Sequence, residues 1–98
     1  MQVNDFSSFQ KFIQKENIFQ RYGITRMGVF GSLARGEKNI RDIDILIDDE
    51  NPDFKKLIGL KTFLEESLGM KVDVVVKKFA DPVILYRAMK DIKYATLH

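Results

Sequence analysis

Apolar residues recur at helical spacing at the start of the chain. Phe6, Phe9, Phe12, Ile13 and Phe19 predict one amphipathic helix from Ser7 to Arg21, ended by Gly23. Ile24 to Phe30 then reads as a strand, and Ser32 to Arg35 as one or two helical turns. The run Ile43-Asp44-Ile45-Leu46-Ile47 has the β-branched composition of a second strand. Asp48-Asp49-Glu50-Asn51 is a polar break. Pro52-Asp53 opens a helix reaching Leu68, with Phe54, Leu57, Ile58, Leu60, Phe63 and Leu64 as its apolar face and Gly69 as its stop. Val72 to Val76 predicts a third strand. Asp81-Pro82 is an N-cap followed by Pro at the first helical position, opening a helix that carries Val83, Ile84, Leu85, Tyr86, Ala88, Met89 and Ile92. Strands interleaved with helices in this order predict an α/β domain around a small mixed sheet.

Ninety-eight residues suffice for a single domain spanning 1–98 with one modest core. A net charge of +2 is too small for a strong electrostatic attraction to nucleic acid, so no strong direct nucleic-acid binding is expected, and Lys77-Lys78 reads as a solvated strand end. The absence of cysteine excludes disulfides and zinc–thiolate sites and fits a cytoplasmic protein. Met1 to Asp5 lacks the basic and apolar regions of a signal peptide, and no apolar run reaches the length of a membrane span. His98 is expected to be a disordered terminal residue. Tyr22, Tyr86 and Tyr94 are expected at half-buried positions.

The chemistry concentrates in Val29-Phe30-Gly31-Ser32-Leu33-Ala34-Arg35-Gly36-Glu37 and, shortly after, Asp42-Ile43-Asp44-Ile45. Positions i and i+2 of a strand share a face, so Asp42 and Asp44 stand side by side among apolar residues. Asp42 alone would be read as a turn residue facing water. Asp44, inside an apolar strand, is harder to dismiss. Two carboxylates on one face repel each other and resist burial, and a divalent cation offsets both costs. A Gly-Ser turn opening a short helix offers backbone N–H groups to phosphate. Gly31 allows close backbone approach, and the Ser32 hydroxyl can hydrogen-bond a phosphate oxygen. Arg35 can contact phosphate or pair with Glu37, the commoner fate of a surface Arg. These are the parts needed to hold a nucleoside triphosphate and its magnesium. Asp73 is the one acid within the third strand and a candidate third carboxylate, with an edge position facing water as the alternative.

Gly31-Ser32-x-Ala34-Arg35-Gly36-Glu37 followed by Asp42-x-Asp44 resembles the signature of the minimal nucleotidyltransferases, small members of the DNA polymerase beta-like nucleotidyltransferase superfamily. The resemblance spans nearly the whole chain. It implies an α/β (α+β) fold, a short twisted sheet backed by helices. It also implies a metal-dependent transfer of a nucleoside monophosphate, AMP from ATP, to a hydroxyl. Asp42, Asp44 and Asp73 would serve as catalytic and metal-binding residues for Mg²⁺, or Mn²⁺ in its place. Gly31, Ser32 and Arg35 would bind the nucleotide, and Asp73 would help to deprotonate the acceptor. In the usual pattern a small residue, often Ser, precedes the first Asp, and the turn is one residue longer. Here Arg41 occupies that place.

The resemblance further implies an antitoxin paired with a HEPN-domain toxin, acting by transfer of AMP to a toxin tyrosine. Two other readings are a non-catalytic antitoxin that covers its partner and an enzyme acting on a free small molecule such as an aminoglycoside. Homo-oligomerisation is compatible with the sequence.

Overall fold

The structure, a computed structural model, describes residues 3–96. His98, expected to be disordered, lies outside the described residues. Among these the elements run α1 (Phe6–Lys15), α2 (Ile18–Tyr22), β1 (Met27–Phe30), α3 (Gly31–Arg35), β2 (Asp42–Ile47), α4 (Phe54–Leu68), β3 (Lys71–Val76), a 3-10 turn (Lys77–Phe79), α5 (Pro82–Asp91) and β4 (Lys93–Ala95). The strands form one sheet in the order β3-β2-β1-β4. β1 pairs antiparallel with both β2 and β4, while β2 and β3 run parallel. The mixed sheet expected from the sequence is therefore present, with one strand more than its pattern announced. No helix among the described residues is long and apolar enough to cross a membrane.

Local chemistry sets the helix ends. Asp5 caps α1 by accepting from the Ser8 N–H at 2.7 Å, and the Ser8 hydroxyl accepts in return from the Asp5 N–H at 3.2 Å. Asp53 caps α4 and Asp81 caps α5, each accepting from a backbone N–H of the first turn. Pro82 takes the first position of α5, where its missing N–H costs nothing.

The predicted first helix is in fact two. Asn17 adopts a left-handed φ of 53°, which Asn tolerates better than most residues, and α2 restarts beyond it. An unbroken helix would carry Ile18 off the face shared by Phe9, Phe12 and Ile13. The break returns Ile18 and Phe19 to the core. The first strand begins at Met27 rather than Ile24. Residues before it bond the loop after β2 instead: the Thr25 N–H donates to Asp49 Oδ1 at 2.9 Å, and the Arg26 carbonyl accepts from the Asp48 N–H at 3.0 Å.

The core lies between one sheet face and α1, α2 and α4. Ile43, Ile45 and Ile47 point into it from β2, against Phe9, Ile13, Leu60 and Leu64 among others. The α4 face is narrower than its sequence pattern, because Phe54 and Ile58 remain 53% and 66% exposed. α5 departs further: Val83, Ile84, Tyr86 and Met89 face solvent and Ala88 alone is buried. Tyr86 is exposed where a half-buried position was expected, while Tyr22 and Tyr94 are half-buried.

What seats the far end of α5 is a missing side chain. Ile92 fills the space beside Gly28 on β1, where an added Cβ would lie 2.8 Å from Ile92 Cγ1. β4 follows at once and closes the β1 edge, with Met27 opposite Ala95. Lys77 and Lys78 are not merely solvated. Lys77 pairs with Asp48 at 3.4 Å, and Lys78 Nζ donates to the Glu50 carbonyl at 2.8 Å.

Leu60 is fully buried in this core. Leu60→Ala is expected to lower the unfolding free energy by about 2–5 kcal/mol, read from the urea midpoint at unchanged m-value.

Candidate active site

β1 delivers the chain to Gly31, the first residue of α3, and β2 runs antiparallel beside it with Phe30 opposite Asp44. That register brings the Gly-Ser turn against the Asp-Ile-Asp stretch. Gly31 has a φ of +73°, and a Cβ there would overlap Asp44 Oδ2. Glycine is thus required twice, for the left-handed backbone and for the carboxylate that occupies its side-chain space. Asp42, Asp44, Gly31, Ser32 and Arg35 line one cleft of about 400 Å³, together with Asn39, Arg41, Arg87 and Asp91. The alternation expected of β2 holds: Ile43 and Ile45 enter the core, while both acids face the cleft.

Asp73 is opposite Asp44 across the parallel β2–β3 ladder, which places the two side chains on one face. It does not line the cleft itself. Its carboxylate lies 3.7 Å from Lys71 Nζ. The third carboxylate therefore stands next to the pair, at its β3 side.

Asp44 carries the electrostatic cost of this arrangement. Burial chiefly, then the charges of Asp73 and Asp42, push its carboxyl above the ordinary value of 3.8, with Arg35 and Lys71 opposing. Among the described residues neither the Asp42 nor the Asp44 carboxylate has a hydrogen-bond or ion-pair partner. Half-buried oxygen donors of one sign, unpaired, suit a hard divalent cation. No three acidic or imidazole side chains among the described residues are gathered into a closed metal cage.

Around the acids the donors are in place. No side chain caps α3, and the Ser32 hydroxyl has no protein partner among the described residues. Arg35 is held by two carboxylates, its Nε donating to Glu37 at 2.7 Å and its Nη1 to Asp91 at 2.9 Å. These bonds, Glu37 first, raise the pKa of the guanidinium. Both expected fates of Arg35 are thus compatible. It forms the surface ion pair, and its Nη2 donors remain for a ligand. Arg41 and Arg87 line the same cleft, and among the described residues neither has an ion pair. Arg87, Asp91 and Asn39 were not singled out from the sequence. Arg87 and Asp91 lie one helical turn apart on α5, but nothing local indicated that this face meets the Gly-Ser turn.

The chain is similar to several known proteins. Residues 13–97 match the family model described as nucleotidyltransferase domain. The protein adenylyltransferase MntA of Thermococcus cleftensis is 39% identical over 82 residues, covering 82% of this chain and 83% of that relative. Two solved structures share the fold. A chain of a toxin–antitoxin crystal structure with AMP-PNP gives a TM-score of 0.70 at 21% identity, covering 85% of this chain and 70% of that one. A chain from a complex of tri-AMPylated Shewanella oneidensis HEPN toxin with MNT antitoxin gives 0.66 at 20% identity, covering 89% and 71%.

Two outcomes follow from Gly31 and Asp44. Gly31→Ala should cost about 1–2 kcal/mol for the left-handed backbone alone and displace the Asp44 carboxylate. A urea titration and nucleotide binding, measured together, check both effects. Because the folded state raises the proton affinity of Asp44, its contribution to stability is lost as the pH rises from 3.8 through the raised value. In EDTA, Asp44→Asn is therefore expected to melt above wild type at pH 7, the two converging as the pH falls toward 3.8 and below.

Proposed function

Because the chain belongs to the nucleotidyltransferase domain family, we propose that it binds ATP with Mg²⁺ in this cleft and transfers AMP to a hydroxyl, that of a tyrosine on a HEPN-type toxin which it thereby neutralises. The observation that carries the reading is the unpaired Asp42–Asp44 pair set against the Gly31-Ser32 turn. The identity to an adenylyltransferase and the fold shared with toxin–antitoxin chains support the nucleotide and the partner.

Asp42 and Asp44, with Asp73 at their side, would hold the metal, which supplies charge neutralisation at the phosphoryl oxygens when bound. The backbone N–H groups at Gly31 and Ser32, the Ser32 hydroxyl and the free donors of Arg35 bind and orient the triphosphate. The acceptor oxygen attacks the α-phosphorus as the bond to the bridging oxygen breaks, and pyrophosphate leaves. Asp73 stands outside the cleft on the adjacent strand, with its side chain 42% exposed. That position suits a base taking the acceptor's proton as the new ester bond forms.

A protein acceptor is favoured by the apolar side chains exposed on α5. Val83, Ile84 and Tyr86 share a helix with the cleft residues Arg87 and Asp91.

Co-expression with the HEPN-type toxin, followed by intact-mass measurement of that partner, tests the reading. Wild type should yield toxin carrying adenylyl groups, and Asp44→Asn should leave it unmodified. Toxin neutralised but unmodified by both proteins would replace catalysis with simple occlusion. Absence of any complex would turn attention to a free small-molecule acceptor.

A further inference from the structure

The cleft is supplied with cations unevenly. Arg35 is already engaged by Glu37 and Asp91. Arg41 also lines the cleft, from the residue immediately before β2, the strand that carries the acids. Arg87 reaches the cleft from α5, a different wall, and its side chain has no ion pair or hydrogen bond among the described residues.

We propose that Arg87 binds the pyrophosphate end of the bound nucleoside triphosphate, and that the Arg35–Asp91 ion pair positions it there. This role rests on the nucleotide-binding reading above. In that reading the α-phosphate belongs beside Asp42 and Asp44, where the acceptor attacks. The remaining two phosphates then extend toward α3 and α5, and they carry most of the ligand's negative charge. Arg87 is the uncommitted guanidinium on that side. Its planar fork suits bidentate contact with phosphate oxygens.

The position of Arg87 is built rather than incidental. Asp91 lies four residues further along α5, on the same helix face. Arg35 Nη1 donates to Asp91 Oδ2 at 2.9 Å, which ties that face of α5 to α3 and the Gly-Ser turn. Ile92 is seated beside Gly28, and β4 locks onto β1 directly afterwards. At the other end Asp81 accepts from the Val83 N–H at 2.8 Å. α5 is therefore capped at its start and anchored to the domain at its far end, one helical turn beyond Arg87.

Calorimetric titration of ATP and of AMP, each with Mg²⁺, into wild type, Arg87→Gln and Arg87→Lys tests the assignment, alongside KM and kcat for ATP. Arg87→Gln should weaken ATP binding by about tenfold, the loss of one charge-assisted contact. It should leave AMP affinity within about twofold, because AMP lacks the phosphates concerned. KM for ATP should rise with it. Arg87→Lys should recover only part of the loss, since an ammonium is a point charge without the fork. Unchanged ATP affinity in Arg87→Gln would overturn the assignment, as would equal losses for ATP and AMP. Intact nucleotide binding with loss of the toxin complex would overturn it in favour of a partner contact. Wild-type protein that binds no ATP with Mg²⁺ would overturn the nucleotide-binding reading itself, and this role with it.

Discussion

A half-buried carboxylate with two others on its sheet face is the constraint around which this chain is arranged. Asp44 pays for its position in proton affinity, raised by burial and by Asp73 and Asp42. It keeps that position because Gly31 offers no side chain to displace it and adopts a backbone that other residues resist. The antiparallel register of β1 on β2 makes the two meet. A slip of one residue would turn every β2 side chain to the opposite face, sending the acids into the core and the isoleucines into the cleft.

Stability and chemistry are thus divided between the two faces of one strand. Ile43, Ile45 and Ile47 are fully buried on one side, where α1, α2 and α4 cover them. The acids stand on the other. The apolar face offsets the repulsion on the polar one, and the strand's alternation keeps the two separate. This is why the site needs few residues of its own: three short elements converge on it, and the core holds them still.

Much of this was legible in the chain. The Gly-Ser turn, the paired acids and the later Asp73 declare themselves because their chemistry is local: a glycine before a short helix, charges at i and i+2, a charge within a run of valines. Asp81-Pro82 and Gly69 mark helix ends by equally local rules. What could not be read depends on tertiary partners. Asn17 breaks the first helix because the core gains Ile18 by it, and helical periodicity alone continued through that point. The apolar residues of α5 suggested a buried helix, yet most are exposed. β4 has only three residues, and its pairing partner, β1, is more than sixty residues away in sequence. Arg87 and Asp91 join the site through that same long-range closure.

The order of the strands also sets when the site can exist. β1, central in the sheet, takes β2 as one neighbour early in the sequence but must wait for Lys93–Ala95 to gain the other. Until those residues leave the ribosome, nothing completes the β1 edge or anchors the end of α5. A nascent chain carrying every acid and the whole Gly-Ser turn therefore still lacks one wall of its cleft. Closing so distant a pairing is among the slower steps of folding. The α5 wall of the cleft consequently arrives with β4, as a property of long-range pairing rather than of the motif.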